Sequence, residues 1–469
     1  MPIQNVSFGL ESRPGRFGPE GGAILTNCFV EEAAKDAKFP FILYCRPGLS
    51  SFATLTGTGG FRGGMDLGEV GYIVTGVNVD KVDSAGTVTN VGVFTGTAPV
   101  DMARNRKSPD AQIALVSDGE RAILSADVVT TIADTDLPPP VGVCSIGGYF
   151  IFPIADGRYF WTSIDEGTAI DALDFASAEA NPDGLIGCTT RTQEIVLVGS
   201  KSIEFHALTG SSAVFERVPQ TTLQIGGLSG AAIKSLNGVV ILPASDGTVR
   251  MLNDYSPERI STHEVERDIR DLTDKSTMTA QTFSLDGHQF YILNSPDWTW
   301  ACDLLTRKWY NWSSYNLGRW RVEGYVDIGG KMVVGDYEDS VLYEIDPDTN
   351  DDAGVALIWK MVSGPVGAYP GRIIADELYL DILPGAGLNS AVASVANPKV
   401  MLRTTDDDGD SWSDEMTISV GQIGQKRTEV SFTQLGASGE DGMRFEVSMS
   451  AAVSRCLQGA ALRFTALSP

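Results

Sequence analysis

The segment Thr405–Trp412 carries the sharpest chemical pattern in the sequence, TDDDGDSW. It matches the Asp-box pattern, in which an Asp side chain accepts backbone N–H bonds, Gly supplies an unusual dihedral angle and Trp packs the hairpin onto the protein body. We therefore predict a structural hairpin. A calcium site formed by Asp406, Asp408 and Asp410 is the alternative, although Gly409 stands too early for an EF-hand loop.

Histidine and cysteine are the other side chains that commonly bind metals or act as nucleophiles. Neither type forms a motif in this sequence, which has no H-x-H, H-E-x-x-H or C-x-x-C pattern. We interpret the histidines as structural or surface residues and the cysteines as buried free thiols of a reducing compartment. The sequence therefore assigns no catalytic, cofactor-binding or metal-binding residue. The positions are His206, His263, His288, Cys28, Cys45, Cys144, Cys188, Cys302 and Cys456.

Glycine-rich motifs that cradle phosphates are also missing from the sequence, which has neither a P-loop nor a nucleophile elbow. The nearest candidate is Gly57–Gly64, GTGGFRGG, whose spacing misses the dinucleotide-binding fingerprint. We predict that this segment is a flexible loop.

The charge balance argues against a protein that binds nucleic acid. The 469 residues include 35 Lys+Arg and 60 Asp+Glu, which gives a formal charge of −25. Such a surface repels phosphates on average. The 51 glycines favour many short strands joined by tight turns. No signal peptide and no membrane-spanning helix are predicted, because the apolar stretch 137–155 is interrupted by prolines and glycines.

An apolar strand, a tight turn and a second apolar strand recur seven times along the chain. The turns are 43, 38, 44, 46, 50 and 42 residues apart, which is the length of one four-stranded propeller blade. The strand before each turn is nearly continuous in apolar residues, as expected for a strand buried on both faces. The copies lie at 71–76, 113–124, 149–162, 194–205, 239–252, 290–303 and 332–345.

These repeats predict an all-β fold, a β-propeller of six or seven blades followed by a C-terminal β-sandwich. We place an N-terminal arm at residues 1–44, the propeller at 45–350 and the sandwich at 351–469. The repeat spacing ends near Asp351, and six short alternating strands follow it. One helix is predicted at Ser261–Leu272, with Ser261 and Glu264 as a capping box. It would be a lid on the propeller rim or a contact with a neighbouring subunit.

Aromatic residues are concentrated between positions 298 and 320, where they could offer flat apolar faces to a sugar or a partner. However, Asp303–Trp309, DLLTRKW, is typical of a strand-turn-strand in which Asp and Thr fix the turn and Trp fills the gap between blades. We favour blade packing over sugar contact. The residues are Trp298, Trp300, Trp309, Tyr310, Trp312, Tyr315 and Trp320.

Several segments together resemble the packaged-DNA stabilisation, or tail nozzle, proteins of short-tailed phages. The opening MPIQ, Ala178–Gly187 (AEANPDGLIG) and Ser202–Ser211 (SIEFHALTGS) are similar to segments of that family. Phe283–Trp312, Val326–Ile345 and the C-terminal segments 402–409 and 456–464 are similar in kind. The resemblance covers nearly the whole chain.

The resemblance implies a non-enzymatic structural protein of the virion tail, assembled in the host cytoplasm and requiring no cofactor. It implies a homohexamer that continues the DNA channel below the portal adaptor, retains packaged DNA and conducts it during ejection. The implied partners are the adaptor, a tail needle or plug, and tailspikes or fibres. Double-stranded DNA would pass through without specific binding, and no membrane insertion is implied.

Two alternatives from other functional classes remain open at the level of sequence. One is a propeller glycosidase or polysaccharide lyase that acts on host surface sugars, as the Asp box and the tryptophans suggest. Glycosidases need two carboxyl groups about 5 to 10 Å apart. The other is a receptor-binding tail protein.

Overall fold

The structure is a computed structural model that describes residues 2–15, 22–178, 181, 183–211, 213–367 and 371–467. Met1 of the MPIQ segment, and Glu179, Ala180 and Pro182 of the AEANPDGLIG segment, lie outside the described residues. The chain divides into two compact units. Unit 1 contains the residues up to Ser50, Asp297–Trp320 and the residues from Asp346 onward. Unit 2 contains Ser51–Pro296 and Arg321–Ile345.

The described residues are mostly β-strands. The first strands are β1 (Ile3–Asn5), β2 (Ile24–Thr26), β3 (Cys28–Glu32), β4 (Phe41–Cys45) and β5 (Gly48–Thr54). Five groups of four follow, namely β6 (Phe61–Leu67), β7 (Val70–Thr75), β8 (Asn78–Val82), β9 (Val88–Val93), β10 (Asp101–Arg104), β11 (Ile113–Ser117), β12 (Glu120–Ser125), β13 (Val128–Thr131), β14 (Cys144–Ile146), β15 (Tyr149–Pro153), β16 (Arg158–Ser163), β17 (Glu166–Ser177), β18 (Leu185–Arg191), β19 (Glu194–Gly199), β20 (Ile203–Leu208), β21 (Phe215–Arg217), β22 (Lys234–Leu236), β23 (Val239–Pro243), β24 (Val249–Asn253) and β25 (Ser256–Arg259).

The elements after β25 begin with a helix. The elements are α1 (His263–Asp271), a short 3-10 turn (Lys275–Thr277), β26 (Thr279–Leu285), β27 (His288–Asn294), β28 (Thr299–Asp303), β29 (Lys308–Asn311), β30 (Val322–Ile328), β31 (Lys331–Asp336), β32 (Val341–Asp346), β33 (Trp359–Val362), β34 (Ile373–Ile382), α2 (Ala393–Ala396), β35 (Lys399–Thr405), β36 (Met416–Ser419), β37 (Val430–Ala437), β38 (Arg444–Met449) and β39 (Cys456–Ala466). No helix of the described residues is long and apolar enough to cross a membrane.

Unit 2 is a propeller whose inner strands form a closed ring. Within the described residues, the first strands of seven sheets are neighbours in the cyclic order β6, β10, β14, β18, β22, β26 and β30, with β30 returning to β6. The first sequence repeat, 71–76, lies on β7, the second strand of its sheet, and each of the other six repeats supplies the second and third strands of one sheet, as far as β31 and β32 in the last. The β-propeller prediction is confirmed, and the ring has seven blades.

The apolar core of the propeller lies between adjacent sheets. Its second strands are almost completely buried, as the burial of all five residues of β11 illustrates. Separate clusters of buried side chains join neighbouring sheets, including a phenylalanine-rich cluster between the second and third sheets. The near-continuous apolar runs of the sequence therefore correspond to strands that are covered on both faces.

The three Asp-Gly turns use two different geometries. Asp118 and Gly119 both have positive φ, 50° and 80°, as a two-residue hairpin turn requires. At the other two turns only Gly157 and Gly247 have positive φ. In these two turns the aspartate side chain accepts a hydrogen bond from the backbone N–H two residues later. The Arg158 amide donates to Asp156, and the Thr248 amide donates to Asp246.

Helix α1 confirms the predicted helix but not its predicted cap. The helix begins at His263, its N-cap residue is Thr262, and no side chain caps it. The hydroxyl of Ser261 instead donates to Glu266 at 2.6 Å and accepts from the Val249 amide at 3.0 Å. The capping-box prediction was wrong because the Ser261 hydroxyl is committed to a neighbouring strand.

The prediction of a flexible loop at Gly57–Gly64 was also wrong for its second half. Strand β6 begins at Phe61, so Gly63 and Gly64 belong to an inner strand of the ring. A Cβ atom at Gly60 would lie 1.9 Å from the backbone oxygen of Tyr337. These glycines therefore allow close packing of backbones, which a sequence pattern does not distinguish from flexibility.

Unit 1 contains two sheets. One sheet has the strand order β3-β4-β39-β34-β37, and β1 pairs with β39. The other runs within this unit in the order β28-β29-β2-β33-β38-β35-β36. Strands β34 to β39 correspond to the six strands predicted after Asp351, which confirms the predicted β-sandwich. Strands β1 to β4, from the predicted N-terminal arm, add to these same sheets, as do β28 and β29.

Candidate functional site: the axial cavity of the propeller

A cavity of about 610 Å³ lies among the inner strands of unit 2. Its volume falls in the range of about 300 to 1,000 Å³ that is usual for small-molecule sites. Six of the seven inner strands contribute residues to the wall, and Val141, just before β14, lines the remaining side. Of the described residues that line the cavity, five are acidic and two are basic: Asp66, Asp101, Asp118, Glu323, Asp327, Arg62 and Lys234.

The guanidinium group of Arg62 is held by backbone carbonyls at the start of β6. It donates to Gly76 O at 2.6 Å, to Ala98 O at 2.8 Å and to the Ser117 hydroxyl at 3.0 Å. Burial lowers the pKa of Arg62, and nearby Asp118 partly offsets that effect. Arg62 therefore stabilises the turns around the cavity and is largely committed to them.

Asp101 begins β10 and turns its carboxylate toward the next inner strand. Its Oδ2 accepts the Val143 amide at 2.9 Å. Burial raises the pKa of Asp101, while the charge of Lys234 and this hydrogen bond oppose the rise. Asp101 and Lys234 are 133 positions apart in the sequence, and the closed ring brings their charges together across the cavity.

Gln281 is the most unusual polar residue of the wall. It is 3% exposed, and neither its amide nitrogen nor its amide oxygen has a hydrogen-bond partner among the described residues. Leaving a buried polar group unpaired costs about 1 to 3 kcal/mol. The alternating sequence of β26 predicts a half-buried strand but gives no signal that this amide is unpaired.

The Asp box forms the structural turn that the sequence predicts. Asp407 accepts from the Ser411 amide at 2.9 Å and from the Thr405 hydroxyl at 2.6 Å. Gly409 has φ of +101°, and the guanidinium of Arg403 lies 5.4 Å from the ring centre of Trp412. In the part of the chain that the structure describes, no three His, Cys, Asp or Glu side chains are arranged to hold a metal ion.

The hydrogen bonds to Asp407 lead to a pH prediction. Bonds from Ser411 and Thr405 hold the pKa of Asp407 well below its ordinary value of 3.8. The stabilisation that the ionised Asp407 gives to the folded state is therefore complete at pH values above 3.8, and it is lost as the pH falls through the lower pKa of the folded state. We expect a carbon-detected NMR titration of the Asp407 carboxyl group to have its midpoint well below 3.8. A midpoint at or above that value would contradict the observed turn.

The histidines lie outside the cavity wall and apart from one another. His206 is buried, with Nδ1 2.8 Å from the Tyr159 hydroxyl and Nε2 3.4 Å from a Glu204 carboxylate oxygen. His263 begins α1, and His288 stacks on Phe290 with ring centres 5.8 Å apart. The six cysteines form no disulfide in the described chain, and all except Cys45 are buried.

Most of the aromatic cluster at 298–320 is buried. Trp300 and Trp309 pack edge to face in unit 1, and Trp312 and Trp320 do the same. The side chain of Asp303 accepts from the Leu305 amide and the Thr306 hydroxyl, as the sequence predicts for this turn. The buried tryptophans are therefore packing residues. The exposed member of the cluster is Tyr315, and Trp298 is half-buried.

Comparison with known proteins gives two family matches in chain order. Residues 33–350 match a family described as Bacteriophage P22 Gp10, beta-propeller, and residues 359–462 match Bacteriophage P22 Gp10, beta-sandwich. These matches confirm the resemblance to phage tail proteins. The chain is also 26% identical over 248 residues to the tail hub protein gp10 of Salmonella phage P22. That match covers 48% of this chain and 50% of the relative, so it spans about half of the relative's length.

Solved structures of other proteins are also similar to this chain, at lower sequence identity. A streptogramin B lyase structure has a TM-score of 0.43 and 12% identity, and the match covers 64% of this chain and 98% of that one. The WD40 beta propeller domain of Doa1 has a TM-score of 0.43 and 10% identity, and the match covers 64% of this chain and 97% of that one.

Proposed function

This chain belongs to the bacteriophage P22 Gp10 family, and from that premise we propose that it forms a homohexameric hub of a phage tail. It is a structural protein of the tail. The proposed hexamer continues the DNA channel below the portal adaptor, retains the packaged genome and conducts it during ejection. The observation that carries this proposal is the match of both family domains, in order, over most of the chain.

The charge of the chain supports a conduit that does not bind its cargo. Each chain has a formal charge of −25, so six chains together have −150. A strongly negative assembly repels phosphate and disfavours the counterion release that drives binding to DNA. Genome retention would then depend on closure of the channel by a needle or plug and not on adhesion to the wall.

The other proposed contacts follow from the same role. We assign the portal adaptor to one end of the ring, a tail needle or plug to its channel, and tailspikes or fibres to its outer surface. Assembly would take place in the host cytoplasm. We propose no enzymatic activity, and the burial of four of the tryptophans removes the main argument for a sugar-processing platform.

The oligomeric state tests the proposal directly. Light scattering of the purified chain should give a mass six times that of the 50.1 kDa chain, and with the adaptor from the same virion a complex that contains six copies of the chain. Negative-stain images should show a six-fold ring with a central hole. A trimeric fibre would instead support a receptor-binding protein, and a stable monomer in the presence of the adaptor would contradict the proposal.

Binding to DNA is a second, independent measurement. In a mobility-shift experiment at low salt, the assembled chain should not retain linear double-stranded DNA, because the repulsion between the acidic chain and the phosphates is screened least at low salt. A basic protein of known affinity serves as the positive control. Retention that weakens steeply with added salt would contradict an inert channel. Turnover of host polysaccharide that a single Asp or Glu substitution abolishes would support the glycosidase alternative.

A further inference from the structure

Two loops of unit 1, residues 384–398 and 420–427, are joined by backbone hydrogen bonds. The Gly385 amide donates to the Val420 carbonyl at 2.8 Å, and the Val420 amide donates to the Pro398 carbonyl at 3.0 Å. We call these two loops the loop pair. Because each loop is bonded to the other, the loop pair forms one surface whose shape the backbone fixes.

Three aliphatic side chains of the loop pair are exposed to solvent. Leu388 is 48% exposed, Val392 56% and Ile423 64%. The residues before Leu388 and Ile423 lie against each other, since a Cβ atom at Gly387 would be 3.0 Å from the Gln422 Cα atom. Single exposed aliphatic residues are normal on a protein surface, whereas neighbouring ones mark an interaction site.

The loop pair is positively charged, although the chain as a whole has a formal charge of −25. It contains Lys426 and Arg427 but no Asp or Glu, and Lys399 directly follows its first loop. All three basic side chains are exposed, and none has an ion-pair partner among the described residues. Two copies of this chain repel each other on average, so a basic surface is where an acidic surface of another copy can approach.

Strand β17, the outer edge strand of the third blade, has a large bulge. Phe160 of β16 pairs with Phe175, and Thr162 pairs with Ile170. Two steps along β16 therefore correspond to five steps along β17, and the extra residues must leave the plane of the sheet. We call Asp171–Asp174 the β17 bulge.

The β17 bulge presents an aliphatic side chain between two carboxylates. Leu173 is 81% exposed, the highest value for a large hydrophobic side chain in the described part of the chain. Its amide donates to Asp171 at 2.9 Å. Burial and the charge of Asp171 raise the pKa of Asp174, and neither aspartate has an ion-pair partner among the residues that the structure describes. A cation beside these two carboxylates would relieve their repulsion.

The chemistry of the two surfaces favours a second copy of the chain as the occupant. A DNA duplex would place the aliphatic side chains of the loop pair against a phosphate backbone. An anionic lipid surface would attract the loop pair but repel the β17 bulge. Another copy of this chain supplies both an exposed aliphatic side chain and two carboxylates for the loop pair.

We propose that the loop pair of one copy binds the β17 bulge of the next copy. The aliphatic side chains of the loop pair cover Leu173, and its two basic residues form ion pairs with Asp171 and Asp174. The contact joins two different surfaces, so it is a head-to-tail contact of the kind that closes into rings. This inference rests on the proposed function, because it identifies the neighbour as another copy in the tail hub.

Charge reversal tests the contact under the conditions in which the wild-type chain assembles. The first variant carries Lys426→Glu with Arg427→Glu, and the second carries Asp171→Lys with Asp174→Lys. Each places like charges at every contact between copies, so sedimentation should show association weakened by at least about tenfold. An equal mixture of the two variants should assemble again, because opposite charges then face each other at both kinds of contact in an alternating ring.

The controls separate this contact from a general effect of charge. Lys35→Glu with Lys201→Glu makes the same change in net charge at exposed positions outside both surfaces and should leave assembly unchanged. Leu173→Ser should weaken association, whereas Leu305→Ser, at another exposed leucine, should not.

The possible outcomes distinguish this inference from the proposed hexamer. If the wild-type chain forms a hexamer and both charge-reversed variants do so equally well, the inference is wrong and the hexamer stands. Variants that dissociate but do not assemble when mixed also overturn it, as does a loop-pair variant that only loses binding to anionic phospholipid vesicles. Reassembly of the mixture into a ring of another size would support the contact and contradict the hexamer. A wild-type chain that stays monomeric with its adaptor would contradict both.

Discussion

Replacing Asp352 with alanine is expected to lower the free energy of unfolding of unit 1 by about 3 to 5 kcal/mol, the usual cost of leaving one member of a buried ion pair without its partner. Arg46 and Asp352 have completely buried side chains. Their contact is bidentate, with N–O distances of 3.0 and 2.7 Å. Alanine at position 352 would leave the guanidinium charge buried without a counter-charge.

The remaining contacts of this ion pair explain why the loss would be large. Arg46 also donates to Asn27 at 2.9 Å and to the Ser313 carbonyl at 3.2 Å, and its guanidinium lies 5.2 Å from the Trp320 ring centre. The pair thus joins segments of unit 1 that are 306 positions apart in the chain. These contacts of Arg46 cannot replace the lost carboxylate of Asp352, because a carbonyl oxygen carries only a partial negative charge.

Urea unfolding monitored by tryptophan fluorescence provides the measurement for Asp352→Ala. Seven of the eight tryptophans belong to unit 1, so the signal reports mainly on that unit. Asp381→Ala is the matched control, because it removes the partner of Lys38 at an exposed site, where an ion pair is worth at most about 1 kcal/mol. If Asp352→Ala costs no more than this control, the buried pair does not have the stabilising role assigned to it.

A double substitution distinguishes the cost of an unpaired charge from the value of the pair. Arg46→Met with Asp352→Leu removes both charges and fills much of the same volume. The double substitution should lower the free energy of unfolding by much less than the sum of the losses caused by Arg46→Met alone and Asp352→Leu alone, because neither buried charge is then left without its partner. Additive costs would instead indicate that the two side chains act independently.

The sequence predicted those parts of the fold whose signal is local. The repeated strand-turn-strand units were recognisable because each second strand is buried on both faces and is therefore apolar without interruption, as in β11 and β23. The six C-terminal strands were recognisable from alternation. Inner strands such as β14 and β22 have only three residues each, which is too short for a periodic pattern to emerge.

The residues of the axial cavity were missed because their significance depends on long-range geometry. Gln281 is one polar residue in an alternating strand, and its unpaired state is visible only when the neighbouring blades are in place. Asp101 and Lys234 belong to blades two and five, and nothing in their local sequence relates them. The close packing of Gly60 against the Tyr337 backbone was likewise invisible in the sequence, because Tyr337 belongs to the seventh blade.

Phe152→Ala is expected to destabilise unit 2 by about 3 to 5 kcal/mol, the range for removing a fully buried phenylalanine ring from a packed core. Phe152 is 0% exposed and belongs to the cluster that joins the second and third blades. Its neighbours in that cluster include Val116 of β11 and Phe160 of β16. The backbone of both blades is fixed by four-stranded pairing, so the wall cannot collapse to fill the resulting cavity.

Calorimetry and hydrogen exchange would test how far this loss spreads through the ring. Each blade packs against two neighbours, so weakening one interface of a closed ring should loosen the whole unit and not one blade. Phe152→Ala should lower the unfolding temperature of unit 2 and speed amide exchange in distant inner strands such as β26. The matched control is Phe175→Ala, at a partly exposed position of the outer strand β17, which should have a clearly smaller effect. Faster exchange confined to β14–β17 would show that the blades unfold independently and that ring closure does not make the propeller cooperative.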